Sequence, residues 1–160
     1  VEFPDYAELT ATKPVPAADV QKLLKPEEAL VAYLVSKEIT HVWVVRRDRA
    51  EVFVADVGKE ALQEAVGKLR DGLDPERATS VSDLPPFDRY VAHKLFKQIF
   101  GPADEILNGV RHVFVVPDGV LQSLPLGVLV TDEPQGKFQD YSGYRQVPWL
   151  AKKYALRWWR

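Results

Sequence analysis

The chain has 160 residues, of which 46% are hydrophobic and 11% aromatic, and it carries 21 basic against 23 acidic residues for a net charge of −2. This length suits one domain that buries about 68–70% of its unfolded surface. The near-neutral balance argues against a broad nucleic-acid surface. With no cysteine present, disulfides, thiolate catalysis and thiolate metal sites are excluded for this chain.

The compartment is predicted from what the sequence lacks. No apolar run approaches the ~18 residues that a membrane helix needs, and the N-terminus, VEFPDYAEL, is not a signal peptide. We therefore expect a cytoplasmic protein without a membrane or nucleic-acid partner. The absence of methionine, even at position 1, predicts a domain cut from a longer protein.

The first third of the chain predicts an arm followed by strands. Val1–Pro16 is proline-rich and aperiodic, and Ala17–Leu24 has the pattern of a short helix. Ala29–Val35 reads as a strand that is apolar on both faces. His41–Arg46 and Glu51–Val57 follow at hairpin spacing, which predicts an antiparallel meander.

Two amphipathic helices are predicted next. From Lys59, apolar residues recur at helical spacing as far as Leu73. The polar stretch Asp74–Ser82 predicts a loop. A second helix is expected to begin near Pro85-Pro86, with Asp83 as a candidate cap.

The chain is organised around Val110–Leu129. His112–Val116 predicts a buried strand, apolar on both faces, which belongs in an α/β domain whose layers cover it on each side. Pro117-Asp118-Gly119 ends this strand with a turn, in which an Asx-type role is expected for Asp118. The apolar residues that follow must dock nearby: Leu121, Leu124, Pro125, Leu126, Leu129 and Val130.

The C-terminal segment admits two interpretations. Thr131–Pro148 is interrupted by prolines and glycines and predicts a loop. Lys153–Arg160 mixes basic and aromatic residues, as a nucleic-acid patch would. In an extended strand, however, Tyr154, Leu156 and Trp158 share one face, and a half-buried strand near an edge is the favoured interpretation.

No reactive constellation is recognised. His41, His93 and His112 match no metal-ligand spacing, and there is no glycine-rich phosphate loop. Ser123 lies in LQSLP, which is not the elbow of a serine nucleophile, although pairing with a histidine through the fold stays open. Neither a metal nor a cofactor is expected.

These residues also resemble a known family. The order of KPVPAADVQKLLKPEEALVAYLV, VWVVRRD, RHVFVVPDGVLQSLPLGVL and WLAKKYALRW resembles the CHAT domain, a caspase-like region that follows tetratricopeptide repeats in many bacterial proteins. The most specific part is a hydrophobic strand followed by Pro-Asp-Gly-x-Leu-x-x-Leu-Pro-x-x-x-Leu, which is filled here by Val113–Leu129. The likeness extends from about Tyr6 to Arg160, with Leu126 in place of a frequent phenylalanine.

The resemblance implies a caspase- and separase-like cysteine peptidase fold. Its His-Cys dyad lies in a later half that cannot be matched here, so no catalytic residue is expected in this chain. Residues 1–25 would be an arm with a short helix, and residues 26–160 the N-terminal subdomain, with antiparallel strands and two helices leading into the first strand of the caspase-like sheet. The motif residues would be structural or would form a substrate groove: Pro117, Asp118, Gly119, Leu121, Leu124, Pro125 and Leu129.

Three functions remain open. The first is the inert N-terminal part of a cysteine peptidase, with the C-terminal half of its own domain, tetratricopeptide repeats and a protein or peptide substrate as partners. The second is a protein-interaction module with the same fold and no cleavage. The third is a hydrolase that uses Ser123 and a histidine.

Overall fold

The computed structural model describes residues 15–74, 86–136, 138 and 141–159. This part of the chain forms four α-helices: α1 Ala17–Leu23, α2 Lys59–Asp71, α3 Arg89–Ile99 and α4 Leu150–Lys153. It forms five strands: β1 Glu28–Val35, β2 Thr40–Arg46, β3 Ala50–Ala55, β4 His112–Val116 and β5 Ala155–Trp158. Short 3-10 turns lie at Gly101–Ala103, Gly119–Ser123, Leu126–Val128 and Tyr141–Gln146. Within the described ranges, no helix has the length and apolarity needed to cross a bilayer.

All five strands belong to one mixed sheet, in the order β3-β2-β1-β4-β5. β1, β2 and β3 pair antiparallel, which confirms the predicted meander. β1 also pairs parallel with β4, and β4 pairs parallel with β5. The α/β class is therefore confirmed, and the meander extends the central sheet, a point that periodicity alone left open.

One face of the sheet packs against α2 and α3 and carries the main core. Leu62, Val66 and Leu69 form the buried side of α2, and Leu95 and Ile99 belong to that of α3. Val113 and Val115 of β4 face this layer and join the same cluster. Full burial of such side chains stabilises the fold by about 1.5–3 kcal/mol each.

The other face is only partly covered. α1 lies over a small cluster of Leu24, Leu30 and Val45, with Phe114 and Val116 packed at its margin. Large apolar side chains on the rest of this face, together with Trp159 just after β5, are 37–60% exposed, and we call them the open face: Leu34, Trp43, Val52, Val54 and Trp159. The prediction that layers cover the sheet on each side is therefore wrong for the described residues.

The start of α3 also differs from the prediction. Pro86 is not helical, and α3 begins at Arg89 because the Asp88 carboxylate accepts hydrogen bonds from the backbone N–H groups of Tyr90 and Val91. Asp88 thus satisfies two of the N–H groups that a helix start leaves free. The predicted cap, Asp83, lies outside the described residues.

Two other predictions also fall partly outside the description. They are the arm, apart from its last two residues, and the loop Asp74–Ser82, apart from Asp74. The helix that begins at Lys59 ends at Asp71 with Gly72 as its C-cap. Leu73, the last residue of the predicted apolar stripe, therefore lies beyond α2 and is 40% exposed.

The C-terminal segment forms α4 and then β5, an edge strand. The predicted strand over Lys153–Arg160 is therefore shorter, and its edge position is confirmed. The prediction that it is half-buried is wrong, because only Leu156 of its four residues is partly buried and the other three are exposed. Leu156 pairs with Val113 and Trp158 with Val115, which places both side chains on the α2–α3 side of the sheet, while Tyr154 is buried just before the strand.

Candidate functional site

The turn after β4 is joined to the end of β1 by one carboxylate. Parallel pairing between these strands ends at Ala32↔Val116, so β1 continues to Val35 beyond the end of its neighbour. The Val35 N–H donates to Asp118 Oδ2 at 2.8 Å. Asp118 therefore supplies the acceptor that a longer β4 would have supplied from its backbone. Its side chain caps no N–H of the following 3-10 turn, so the predicted Asx-type role is wrong.

The rest of the turn has the predicted form. Pro117 cannot donate to the ladder, which favours the end of β4 at Val116. Gly119 has φ +55°, the left-handed region in which glycine carries no steric cost. The Leu121 N–H then donates to the Asp118 carbonyl at 3.2 Å, and the chain turns back onto the core.

The leucines of the motif are anchors of the fold. Leu121, Leu124 and Leu129 are fully buried and Leu126 nearly so, whereas Pro125 between them is exposed. The segment Gly119–Ser123 packs against α2. These positions hold the connection from β4 to the next elements against the sheet, and they present no polar group to a ligand.

A mainly apolar groove of about 190 Å³ lies along β5, and we call it the β5 groove. Its walls include Val115, Pro125, Leu126, Ala151, Leu156 and Trp158. Of the predicted motif residues only Pro125 lines it, together with the neighbouring Leu126. The other six motif residues (Pro117, Asp118, Gly119, Leu121, Leu124 and Leu129) lie elsewhere, in the turn or in the core.

The candidate nucleophile and bases are not assembled. The Ser123 hydroxyl donates to the Val120 carbonyl at 2.8 Å, a contact within its own turn. His93 Nδ1 lies 3.0 Å from the Val130 carbonyl. His41 and His112 stand on the face opposite the main core, and the Nδ1 atom of each is buried without a hydrogen-bond partner. Within the described ranges, no three or more histidine or carboxylate side chains gather as metal ligands would.

A polar depression at the other end of the sheet was missed in the sequence. It has a volume of about 560 Å³ and is lined in part by Asp104, Asn108, Lys153 and Tyr154. The Asp104 carboxylate pairs with the Lys153 ammonium and accepts from the Tyr154 hydroxyl at 3.3 Å. Burial, and then the nearby Asp104 charge, raise the pKa of Tyr154, so its hydroxyl stays protonated and acts as a donor. Because Asp104 and Lys153 are 49 residues apart, no local pattern could have revealed the pair.

Comparison with known proteins adds little to this geometry. No family model matches the chain, and no curated protein matches it. Among solved structures, a chain titled "Alp12 filament structure" is 8% identical, with a TM-score of 0.31 over 69% of this chain and 45% of that one. This chain thus spans less than half of that chain's length, and a TM-score this low carries no argument about fold or function. Fold and geometry together define an α/β protein with a mixed five-stranded sheet.

Proposed function

We propose that this chain is the N-terminal scaffold part of a bacterial CHAT domain, a caspase- and separase-like cysteine peptidase domain, and that it is catalytically inert alone. The working histidine and cysteine would lie C-terminal to Arg160. The chain would contribute the first strands of the sheet and one wall of a substrate groove. Its partners would be the C-terminal half of the domain, tetratricopeptide repeats in the parent chain, and a protein or peptide substrate.

The observation that carries this proposal is the architectural use of the motif. Asp118 closes the end of β1, Gly119 takes a positive φ, and three motif leucines are fully buried. These structural roles explain why the motif has a specific residue pattern although it contains no reactive group. The catalytic residues would lie at the carboxyl ends of β1, β4 and β5, because functional sites in parallel sheets are found at that edge.

The β5 groove supports a role beside a peptide. Its apolar wall adjoins the outer edge of β5, which pairs only with β4 in the described sheet. An edge strand next to an apolar groove can receive an extended segment, because the backbone supplies hydrogen bonds and the groove accepts side chains. In the proposed peptidase, this edge would receive the next strand of the domain, and the groove would lie next to the substrate.

The experiment is a reconstitution of peptidase activity. The 160-residue chain should cleave no peptide, whereas the chain extended by the downstream coding sequence should cleave its substrate. The extended chain with its downstream cysteine replaced by alanine is the control and should be inactive. Cleavage by the 160-residue chain itself, or a coding sequence that ends at Arg160, would contradict the proposal.

A protein-interaction module is the second candidate, and the open face favours it. Five large apolar side chains are 37–60% exposed there, and contiguous exposed apolar surface commonly marks a protein contact. A full-length gene in which the dyad positions hold other residues would favour this function over cleavage. The third candidate, a hydrolase, would require loss of a measured activity in Ser123→Ala.

A further inference from the structure

The outer edge of β3 offers unpaired backbone groups. In the described sheet β3 pairs only with β2. The Arg46 N–H donates to the Arg49 carbonyl at 2.8 Å, which makes these opposed residues a hydrogen-bonded pair. Since such pairs alternate along an antiparallel ladder, Glu51 and Phe53 bond to β2. The backbone groups of Ala50, Val52 and Val54 therefore point outward.

This edge lacks most of the features that block edge-to-edge pairing. β3 contains no proline, and its one charged residue is Glu51. Val52 and Val54, whose backbone groups point outward, are 54% and 60% exposed. Natural edge strands usually carry lysine, proline or a bulge to prevent association, so an unprotected edge of six residues is a template for another strand.

The strand is complementary to a second copy of itself about a two-fold axis. With Phe53 on the axis, Val52 lies opposite Val54 of the second copy, and Glu51 lies opposite Ala55. The outward-pointing groups of Val52 and Val54 then meet as hydrogen-bonded pairs. A side-chain period of two requires every opposed pair to share a face, which this register satisfies.

Charge disfavours two of the alternative registers. An axis through Glu51 would oppose two glutamates, and an axis through Val52 would set Asp48 against Asp56 of the second copy. Like charges in direct opposition destabilise strand pairing. With Phe53 on the axis, Arg49 of one copy comes within one residue of Asp56 of the other, which is a favourable placement at both ends of the pair.

We propose that two copies of this chain associate through antiparallel pairing of their β3 strands and form one continuous ten-stranded sheet. The proposal goes beyond the function proposed above and does not depend on it. Trp43 lies opposite Val52 within each copy. In the dimer the open faces of the two copies would therefore join into one apolar surface that crosses the paired β3 strands. The occupant of the edge is thus a second copy of the chain.

Oligomeric state is the first test. Sedimentation velocity should show a concentration-dependent dimer of the 160-residue chain. Val54→Lys should raise the dissociation constant of the dimer by at least about tenfold, because a longer, charged side chain would then stand opposite Val52 of the second copy. Leu34→Lys is the matched control, since Leu34 is 50% exposed on the open face but lies away from the edge. It should leave the dimer unchanged. A wild-type monomer at every soluble concentration, or a dimer broken only by Leu34→Lys, would overturn the proposal.

The absence of cysteine allows a disulfide test of the register. Phe53 would form a non-hydrogen-bonded pair with its own copy, the closest kind of cross-strand pair, so Phe53→Cys should oxidise to a covalent dimer. Glu51→Cys should not, because its two copies would stand about 13 Å apart along the strands. If Phe53→Cys fails to fold, a mixture of Val52→Cys and Val54→Cys, both exposed sites, should cross-link instead. Equal cross-linking of Glu51→Cys and Phe53→Cys would refute the register.

Discussion

At the scale of single residues, the carboxylate of Asp118 stands where β4 has no further backbone acceptor to offer. Asp118→Ala would leave the Val35 N–H, now bonded at 2.8 Å, without its partner. We expect the free energy of unfolding to fall by about 0.5–1.5 kcal/mol, the usual contribution of one hydrogen bond, because this bond is only partly buried. Denaturant unfolding measures this change. Asp118→Asn keeps an acceptor and should lose clearly less, so equal losses in the two variants would contradict the assigned role.

Two tyrosines predict a loss of stability in alkali. Burial raises the pKa of Tyr33, whose hydroxyl has no hydrogen-bond partner, and burial with the Asp104 charge raises that of Tyr154. Both stay neutral in the folded chain but ionise in the unfolded chain above about pH 10. Their contribution to stability is therefore complete below that pH and declines as the pH rises above it.

The variant Tyr33→Phe separates the contribution of Tyr33 to this pH dependence from that of Tyr154. At neutral pH it should leave the free energy of unfolding unchanged or raise it by up to about 1 kcal/mol, because it removes an unpaired buried hydroxyl. Above about pH 10 it should lose less stability than the wild type. Urea unfolding at several pH values gives both quantities, and an alkaline slope equal to that of the wild type would refute the assignment.

Some roles of single residues could be predicted from the sequence, and others could not. Gly119 was predictable because a turn after Pro-Asp requires a residue that accepts positive φ. The partner of Asp118 was not, since Val35 lies 83 residues away and only the unequal lengths of β1 and β4 create the need for it. The same holds for Asp104 and Lys153. Contacts that depend on two distant elements leave no local signal.

At the scale of elements, the close approach of the β1–β2 turn to the start of α2 gives a sharp test. A Cβ atom on Gly58 would lie 2.0 Å from the Lys37 carbonyl oxygen. Gly58→Ala should therefore lower the free energy of unfolding by about 2–3 kcal/mol, as steric strain in a packed turn does. Gly67→Ala is the control within the same helix.

Gly67 is exposed in the interior of α2, and a Cβ atom there would meet nothing within 4 Å. Its replacement by alanine should raise stability by about 0.5–1 kcal/mol, because alanine loses less backbone entropy in a helix. Thermal unfolding of both variants checks the pair. Two changes of the same sign would mean that the approach of Lys37 to Gly58 is incorrect.

The central strand can be tested by a buried charge. Val115 is 2% exposed within the main core. Val115→Asp should therefore lower the free energy of unfolding by about 3–5 kcal/mol and prevent folding, because it buries a charge without a partner. Leu23, the last residue of α1, is 71% exposed, so the control variant Leu23→Asp should fold normally. Circular dichroism distinguishes the outcomes, and a Val115→Asp variant that melts like the wild type would mean that β4 is misplaced.

Strands were the most predictable elements. β4 has the predicted bounds, and β1, β2 and β3 differ from theirs by one or two residues, because β-branched runs bounded by turn residues are strong local signals. The start of α3 was wrong since prolines are tolerated in a first turn without requiring one there, and the cap that decides is Asp88. The short α4 before β5 has too few residues for a periodic pattern.

At the scale of the whole molecule, protection should decline from the centre of the sheet outward. β1, β2 and β4 each have neighbours on both sides, whereas α1 contains no buried residue. We expect amide hydrogen exchange to be slowest in β1, β2 and β4 and fast in α1, since segments with few buried contacts open more easily. Exchange followed by mass spectrometry gives the order, and slower exchange in α1 than in β4 would contradict this packing.

The pairing of β1 with β4 also has a consequence for synthesis on the ribosome. The β1–β2–β3 meander is local in sequence and can form soon after it emerges, but β1 finds its parallel neighbour only when His112–Val116 has been translated. Until then an apolar strand edge stays unpaired, and parallel partners far apart in sequence are slow to meet. The nascent chain should therefore depend on chaperones that shield hydrophobic segments during that interval.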